Sequence, residues 1–589
     1  TLRVADDDAA DTLLLQFEAG KIFTVQETVA NAAGDLLAIT LDDEASFSAV
    51  FEGAITGVAV NDIDIIAQTT TTVVLSGDVA YSANFDGAGT LQITGTMTAD
   101  EQIGNATAIG TFDIDGQITS TSTIVVTNLD LDGTIAGATS LDIQAASLGG
   151  SITTTGVTTV DLVTTLTGDS SITTSDAKIT LTGAIGGAGL DLTMNAGTAE
   201  VELGGIVGAG ATGVGAMAIT GSLDLNAAIT DAESVSVSLV SNLGASITTT
   251  GTAATTITLA DAATLSANTT LTTANTNISL EEIVGGTNDL ILVAGTGAIT
   301  TSAAIAGVAD MTITSASSAT FAAAVANANT VINSTGTNTF DLTLASTTAV
   351  DINAGTTTFS GAVTSPLIDV AGTSSIVNID AAPNVAKLLL TAGTVNIGVK
   401  DVDIDTLDMD GGTIVIEKTV LSGDSVFLVS DQATAGVGAT GTIIMPVNLA
   451  NGGVITLFND ADTLATTAAS VDVVLQDTTL TDYKASLAGG DLLVTSTDKS
   501  ASATATELGI TSNAAKALLQ ARNSSINDTA VDGTAEDAFY NVLNAQGGFT
   551  TADATALAKQ VEPQTDAIGG SSVATRAMTG TVQGIVSNR

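Results

Sequence analysis

The feature that most constrains the fold is an apolar pair that recurs at eleven-residue spacing between residues 178 and 205. The segment reads KITLTGAIGGAGLDLTMNAGTAEVELGG, and the two members of each pair are separated by one polar residue. Alternation with a period of two is typical of a β-strand with one buried face. We predict that six side chains point into a core: Ile179, Leu181, Leu190, Leu192, Val201 and Leu203. The polar residues between them, Thr180, Asp191 and Glu202, are expected to face water.

Glycine-rich turns separate these pairs, and short alternating apolar runs with similar turns continue from about residue 50 to residue 450. Near-copies recur within it: SITTTG at Ser151 and Ser246, SITTS at Ser171 and AITTS at Ala298. Short strands and turns that repeat evenly allow a chain to wind into a parallel β-solenoid, in which each strand stacks on its equivalent one coil later. Low-complexity disorder is the alternative, and the regular alternation together with only four prolines argues against it.

The pattern changes along the chain and divides it into four predicted parts. Residues 1–50 are predicted to form an N-terminal cap region and residues 51–450 the solenoid repeats. Residues 451–508 are predicted to form a β-rich junction, and residues 509–589 a helical C-terminal linker in which Ser512 caps the helix NAAKALLQAR. The predicted fold class is therefore all-β, a long parallel β-solenoid capped by a β-rich junction and a short helical C-terminal segment. Because the chain starts without Met or a signal-peptide pattern, we expect a processed product or a fragment.

Charge and missing residue types limit the function. The chain has 63 acidic and 13 basic residues, a formal net charge of −50, so we expect no nucleic-acid partner and no attraction to an anionic membrane surface. It contains no His and no Cys, which excludes Ser-His-Asp and Cys-His catalysis and any imidazole or thiolate metal site. Glycosidase chemistry needs only two carboxylates, but such sites also stack sugars on aromatic residues, and these make up 3% of the chain. We predict that the protein is not an enzyme.

Aspartate clusters carry the remaining chemistry, and the densest is DVDIDTLDMDGG, from Asp401 to Gly412. In a strand, Asp403 and Asp405 share a face with Asp401 while Val402 and Ile404 point to the core. Clusters of oxygen ligands suit Ca²⁺, which accepts about six to eight of them with loose geometry. Ca²⁺ is therefore the one cofactor predicted, with these candidate ligands: Asp401, Asp403, Asp405, Asp408 and Asp410.

Other aspartates form smaller groups: Asp6, Asp7 and Asp8; Asp62 and Asp64; Asp113 and Asp115; Asp130 and Asp132. For every one of these groups, an ordinary solvated outer face is the alternative to a cation site. Asp-Gly turns would close that face at Asp115–Gly116 and Asp132–Gly133.

Three segments together carry a resemblance to a known family. FDGAGTLQITGTMTADEQIGNATAIGTFDIDG (Phe85 to Gly116) has a characteristic repeat cadence, Gly452 to Ser500 reads as a β-rich junction, and ALLQARN with VATRAMTGTVQGIVSNR reads as a helical lead-in. In these segments the chain resembles the passenger of a Gram-negative autotransporter, and in particular the surface-layer autotransporters of the rickettsial outer-membrane protein B type. In that family the junction is often called the autochaperone, and the lead-in ends inside an outer-membrane barrel.

The resemblance implies an exported, structural protein on the cell surface, at the outer membrane of a Gram-negative bacterium. Its expected partners are copies of itself in a homo-oligomeric array, divalent cations, and the outer-membrane β-barrel of its own precursor. A surface layer or coat formed by lateral self-assembly is the predicted function. An adhesin that binds host or neighbouring-cell ligands, or a biofilm-matrix protein, is the alternative. The even composition from residue 50 to residue 450 favours the coat, because an adhesin usually carries an inserted binding domain.

Overall fold

The structure is a computed structural model. The residues that it describes are 10–15, 22–25, 29–30, 36–41, 48–51, 55–56, 63–67, 72–76, 79–81, 84–99, 102–104, 107–160, 164–208, 213–399, 402–416, 423, 425–435, 441–444, 449, 451–459, 474–476, 480–488 and 491–526. Most of the predicted N-terminal cap region and residues 527–589 of the predicted linker therefore lie outside the described residues.

The chain is a parallel β-solenoid of about 16 turns, which confirms the predicted fold class. Within it, a strand pairs in parallel with the equivalent strand of the adjoining coil rather than in a hairpin with the next strand in sequence, as β14 (Gln117–Ser120) does with β16 (Thr134–Ala138). The chain divides into two compact units, Thr1–Ala322 and Ala323–Arg589.

The strands of the first unit are mostly three to twelve residues long. In chain order they are β1 Ala10–Leu15, β2 Ile22–Val25, β3 Val29–Ala30, β4 Leu36–Leu41, β5 Ser48–Phe51, β6 Ile55–Thr56, β7 Ile63–Ala67, β8 Thr72–Leu75, β9 Val79–Tyr81, β10 Asn84–Asp86, β11 Thr90–Ile93, β12 Thr96–Ala99, β13 Ile109–Ile114, β14 Gln117–Ser120, β15 Thr123–Leu131, β16 Thr134–Ala138, β17 Ser140–Leu148, β18 Ser151–Thr154, β19 Thr158–Val160, β20 Thr164–Leu166, β21 Ser170–Thr174, β22 Ile179–Leu181, β23 Ile185–Gly186, β24 Leu192–Leu203, β25 Val214–Leu225, β26 Ile229–Val237, β27 Ser241–Leu243, β28 Ile247–Thr249, β29 Thr255–Leu259, β30 Ala263–Leu265, β31 Thr269–Thr273, β32 Asn277–Leu280, β33 Ile283–Val284, β34 Leu290–Val293, β35 Ala298–Thr301, β36 Ile305–Ser315 and β37 Ser318–Phe321.

The second unit continues with strands and ends in two helices. In chain order the strands are β38 Val325–Ile332, β39 Thr337–Phe340, β40 Leu344–Ile352, β41 Thr356–Phe359, β42 Val363–Val370, β43 Ile376–Ile379, β44 Asn384–Leu390, β45 Thr394–Ile397, β46 Val402–Met409, β47 Thr413–Ile416, β48 Ser425–Ala435, β49 Thr442–Ile444, β50 Val454–Asn459, β51 Val474–Gln476, β52 Thr481–Ala488 and β53 Asp491–Asp498. The helices are α1 Ala501–Leu508 and α2 Ser512–Ile526.

Inward side chains stack in columns from coil to coil. Ile135, Ile152 and Ile172 occupy registered positions on β16, β18 and β21 and are at most 1% exposed. Each buried branched side chain contributes about 1.5–3 kcal/mol through the apolar surface that it removes from water. Outward neighbours in the same strands are polar and small, so one face of each strand forms the core and the other forms the surface.

The predicted inward side chains of residues 178–205 are confirmed with one exception. Five of the six are at most 1% exposed: Ile179, Leu181, Leu192, Val201 and Leu203. Val201 registers with Ile179 one coil earlier, whereas Leu192 registers with Ser170 in a different column. The eleven-residue spacing is thus half of a coil, and two successive pairs lie on different sides of the solenoid.

Leu190 is the exception, and the prediction that it points into the core is wrong. It is half-buried and lies before β24, which begins at Leu192. The preceding glycine-rich turn continues further than the apolar pattern indicates, with Gly189 in the left-handed region at φ +76°. Alternation shows that a strand is present but does not show at which residue it begins.

Both predicted Asp-Gly turns lie at bends between strands. Gly116, Gly133 and Gly150 stack at one corner of successive coils, and a Cβ on Gly133 would collide with the carbonyl oxygen of Gly116. A Cβ on Gly150 would collide with Gly133 in the same way. Glycine is therefore required at this corner by the close approach of two backbones.

The closing segment, which comprises the described residues between 451 and 526, adds antiparallel pairing to the parallel pattern. β53 pairs antiparallel with both β50 and β52, within the junction that was predicted to be β-rich. Helix α1 follows at once, capped by Ser500, whose hydroxyl accepts a hydrogen bond from the Ala503 N–H at 3.1 Å.

Two features of these helices differ from the predictions. The sequence pattern did not indicate α1, because the segment ASATATEL is short and rich in Thr and Ser. The capping hydroxyl at α2 belongs to Thr511, which accepts from the Ala514 N–H at 3.2 Å, so the prediction of Ser512 as the cap is wrong by one residue.

Candidate functional site

Strand β46 carries the centre of the predicted calcium strip. Val402 and Ile404 are at most 1% exposed, and Asp403 and Asp405 between and after them are exposed, which is the predicted arrangement. Asp401, the first predicted ligand, lies outside the described residues.

The second half of the strip is arranged differently. The alternation of inward and outward residues shifts by one position after Asp405, where β46 also changes register against β48. Asp408 therefore does not continue the alternate-residue pattern set by Asp403 and Asp405. Asp408 is ion-paired, with its Oδ2 2.9 Å from the Nζ of Lys387, and Asp410 is exposed beyond the strand. Among the described residues, no three carboxylate side chains come together in a group suited to hold a metal ion.

A second acidic cluster lies in the first unit, where two of the smaller aspartate groups meet. Asp113 on β13 and Asp130 on β15 are registered neighbours in adjoining coils, and Asp115 and Asp132 follow them at the corner. The Gln92 amide donates from Nε2 to Asp113 Oδ2 at 3.0 Å and to Asp115 Oδ2 at 3.4 Å. Sequence spacing alone did not bring the two groups together, because they are one coil of 17 residues apart.

Electrostatics in this cluster disfavour the charged form of two carboxyls, those of Asp113 and Asp130. Burial raises the pKa of Asp113 above its usual range, and the negative charges of Asp115, Asp130 and Asp132 raise it further against the opposing hydrogen bond from Gln92. Burial and the charges of Asp132 and Asp115 likewise raise the pKa of Asp130. The four carboxyls therefore repel one another at neutral pH, and protons, cations or a longer separation would relieve the repulsion.

Two acidic residues elsewhere in the first unit share one lysine as their ion-pair partner. Lys178, the one basic residue between Lys21 and Lys387, lies 2.7 Å from both Glu200 Oε1 and Glu202 Oε2, and these contacts raise the pKa of the lysine. Glu200 and Glu202 follow Lys178 by one coil, so the coil length is the signal that would have predicted the pair.

Asparagine amides support a further carboxylate on the same side. Asn242 donates from Nδ2 to Asp224 Oδ1 at 2.8 Å, and Asn226 donates to Asp224 Oδ2 and to Glu202 Oε1, each at 3.2 Å. Hydrogen bonds within the chain therefore hold both Asp224 and Glu202.

Arg522 is the one charged side chain of the closing segment that is almost fully buried, at 2% exposed, among the described residues. Its Nη1 lies 2.7 Å from Asp498 Oδ1, and its Nη2 donates to the carbonyl oxygen of Leu449 at 2.6 Å. Burial lowers the pKa of Arg522, and Tyr483 and Asp498 oppose that effect. The arginine fixes α2 to the end of β53. The sequence pattern does not indicate this contact.

Compared with sequence families, curated proteins and solved structures, the chain matches none. Among the described helices, neither combines the length and the apolar character required to cross a membrane.

Proposed function

We propose that the protein is a structural component of a bacterial surface layer, in which many copies pack side by side on the cell surface. The observation that carries the proposal is the even construction of the solenoid. Between residues 84 and 399, short turns join the described strands, and the gaps between described ranges are four residues or fewer. A gap of that size is too short for an inserted binding domain, the usual feature of an adhesin. The resemblance to surface-layer autotransporters supports the same function and the location outside the outer membrane.

Assembly of such copies has to overcome their charge. Each chain carries a formal net charge of −50, and monovalent salt screens only beyond a Debye length of about 8 Å at physiological ionic strength. We therefore propose Ca²⁺ as a counter-ion that bridges carboxylates of two copies, with oxygen ligands from each. Asp403, Asp405 and Asp410 are exposed, and we propose that they contribute ligands to this role.

Purified protein tests the proposal when it is followed by light scattering and electron microscopy while calcium is added and then chelated. Sheets or filaments are expected to form with calcium and to dissociate in excess chelator. A protein that stays monomeric at every calcium concentration contradicts the proposed function. Assemblies that persist unchanged in chelator contradict calcium bridging but leave lateral assembly in place.

Substitutions separate the predicted strip from calcium binding in general. The pair Asp403→Asn with Asp405→Asn is compared with Asp142→Asn with Asp380→Asn, which removes the same charge from exposed positions elsewhere. If the strip bridges copies, the first pair raises the calcium concentration needed for assembly and the control pair does not. Equal behaviour of the two pairs shows that the strip is not the bridging site.

A further inference from the structure

One side of the first unit differs from the rest of the acidic surface, because the strand segments that form it contain no charged residue. We call it the neutral face. It consists of the outward side chains of twelve registered strand segments: 96–99, 117–120, 134–138, 151–154, 170–174, 192–195, 217–220, 234–237, 255–259, 277–280, 298–301 and 318–321.

The register aligns the outward side chains of the neutral face in a straight column of hydroxyls. From Thr96 to Thr320 the column has one residue in each coil, and ten of its twelve positions are Thr or Ser, with Gln117 and Ala218 at the other two. Three of the four near-copies noted in the sequence, at Ser151, Ser171 and Ala298, lie on this face. Their recurrence thus marks one side of the solenoid.

The other two stacks of strands in this unit carry acids at their outward positions. Asp113 and Asp130 lie in one stack, and Asp142, Glu202 and Asp224 lie in the other. Acids also lie just outside the strands of the neutral face, where Asp169 and Asp191 line an open groove of about 420 Å³ together with Thr134, Ser151, Ser171 and Thr193. The twelve segments of the face themselves contain no charged residue.

We infer that the neutral face is the surface through which one copy of this chain docks laterally on a second copy. Charge decides the location, because burying an unpaired carboxylate costs far more than burying a hydroxyl. The twelve segments of this face place no charged residue in the contact. A hydroxyl is both a donor and an acceptor, so a surface of Ser and Thr is complementary to an identical surface, as a two-fold contact requires.

The size of the face is sufficient for such a contact. Eleven steps of about 4.8 Å give a length of about 50 Å, and strands of four to five residues give a width of about 15 Å. The resulting area of about 750 Å² is close to the roughly 800 Å² that each partner buries in a stable interface of standard size. This inference rests on the proposed function, since it names the surface through which that assembly occurs.

The first arm of the test places charge on the face. Ser236→Asp with Thr300→Asp adds two acids at exposed positions of the neutral face, and Thr165→Asp with Thr264→Asp adds two at exposed positions of the other stacks. Like charges placed opposite each other in a contact are expected to weaken association of the first pair by roughly tenfold or more. The control pair has the same net charge and is expected to associate like the unaltered chain, as measured by sedimentation velocity.

The second arm detects the contact directly and exploits the absence of Cys from the chain. Ser236→Cys, on the face, and Thr264→Cys, off it, are treated with a short bismaleimide cross-linker. A covalent dimer of Ser236→Cys alone supports the inference. Assembly by all variants without this dimer overturns the neutral face as the contact and leaves lateral assembly standing. If the unaltered chain does not assemble, the proposed function is wrong. The cross-link then tests the neutral face separately: a Ser236→Cys dimer supports the neutral face as a contact surface, and the absence of a dimer overturns it.

Discussion

The coils of the solenoid and the closing segment are stabilised by different means. In the coils, apolar columns such as Ile135, Ile152 and Ile172 repeat one type of contact from strand to strand. The closing segment contains contacts that have no equivalent in the described coils: β53 lies antiparallel on β50, and Arg522 joins Asp498 and Leu449. Because each coil contacts only its neighbours, coils can be added or lost without a new type of contact. The last strand of a parallel stack instead has unpaired backbone N–H and C=O groups, which need a covering segment of their own.

The edge itself shows what the closing segment contributes. On one side β50 continues the parallel ladder with β48, and on the other side it pairs antiparallel with β53. The hydrogen-bonding groups of β50 that would otherwise template another chain are thus covered within the molecule. Destabilising substitutions in the two regions should therefore have different extents. A substitution in the coils should loosen neighbouring coils, and one in the closing segment should loosen that segment alone.

The largest effect is expected from Leu192→Asp in the coils. Leu192 is fully buried, and a carboxylate there has no partner, so the free energy of unfolding should fall by several kcal/mol. Denaturant unfolding and limited proteolysis measure the effect. Leu190→Asp is the control, because Leu190 is half-buried and outside the strand, and its cost should be much smaller. Wild-type protease resistance in Leu192→Asp would contradict the inward assignment.

Arg522→Met should cost about 3–5 kcal/mol locally, because it leaves Asp498 without its buried partner. Hydrogen exchange resolved by mass spectrometry should show faster exchange in β52, β53 and α2 with unchanged exchange in the coils. Lys516→Met on the same helix is the control, since Lys516 is exposed. Equal loss of protection in the coils would show that the two regions do not differ as described.

Gly133→Ala tests the corner where backbones of successive coils approach each other. The added Cβ would overlap the carbonyl oxygen of Gly116, so we expect a cost of about 1–3 kcal/mol. Gly189→Ala, at a positive φ with open space around it, should cost about 1–2 kcal/mol through backbone strain alone. Thermal melting compares the two, and a smaller loss at Gly133 than at Gly189 would contradict the close approach.

The smallest expected effect is a gain of stability in Asp113→Asn. Its folded-state pKa is raised, so the stability contributed by this carboxyl is complete below the unfolded-state pKa and is lost as pH rises through the folded-state value. At neutral pH, removal of the charge should therefore stabilise the first unit by about 0.2–1 kcal/mol, the range for neighbouring-strand pairs. The gain should disappear at a pH below the usual range of an aspartate.

The exposed Asp142 supplies the control for that measurement, since Asp142→Asn removes a charge from another stack. An equal gain from both substitutions would indicate relief of net charge alone. A gain confined to Asp113→Asn would locate the repulsion in the cluster with Asp130.

Much of the fold could be predicted because the alternation of apolar and polar residues reports directly which face of a strand is buried. Ile179 and Val201 were predicted inward for that reason and are inward. The prediction for Leu190 is wrong because an apolar residue can occupy a half-buried turn position as well as an inward strand position. The cap at Thr511 was missed by one residue, since Thr511 and Ser512 both carry a hydroxyl suited to that position.

The surfaces were less predictable because they depend on register. Asp113 meets Asp130 over a separation of 17 residues, and Lys178 meets Glu200 over a separation of 22. Coil length varies between such pairs, so no fixed repeat in the sequence identifies which residues become neighbours. The column from Thr96 to Thr320 also depends on the register, because coils of unequal length separate its members. Only the pairing of the strands shows that its hydroxyls lie on one face.

Electron cryo-tomography of Gram-negative cells that display the protein tests the central claim, that copies pack side by side as a coat. The account predicts a continuous layer outside the outer membrane with a regular lateral repeat, and a loss of that repeat in the Ser236→Asp, Thr300→Asp variant. Separate, unordered projections at high surface density would contradict it.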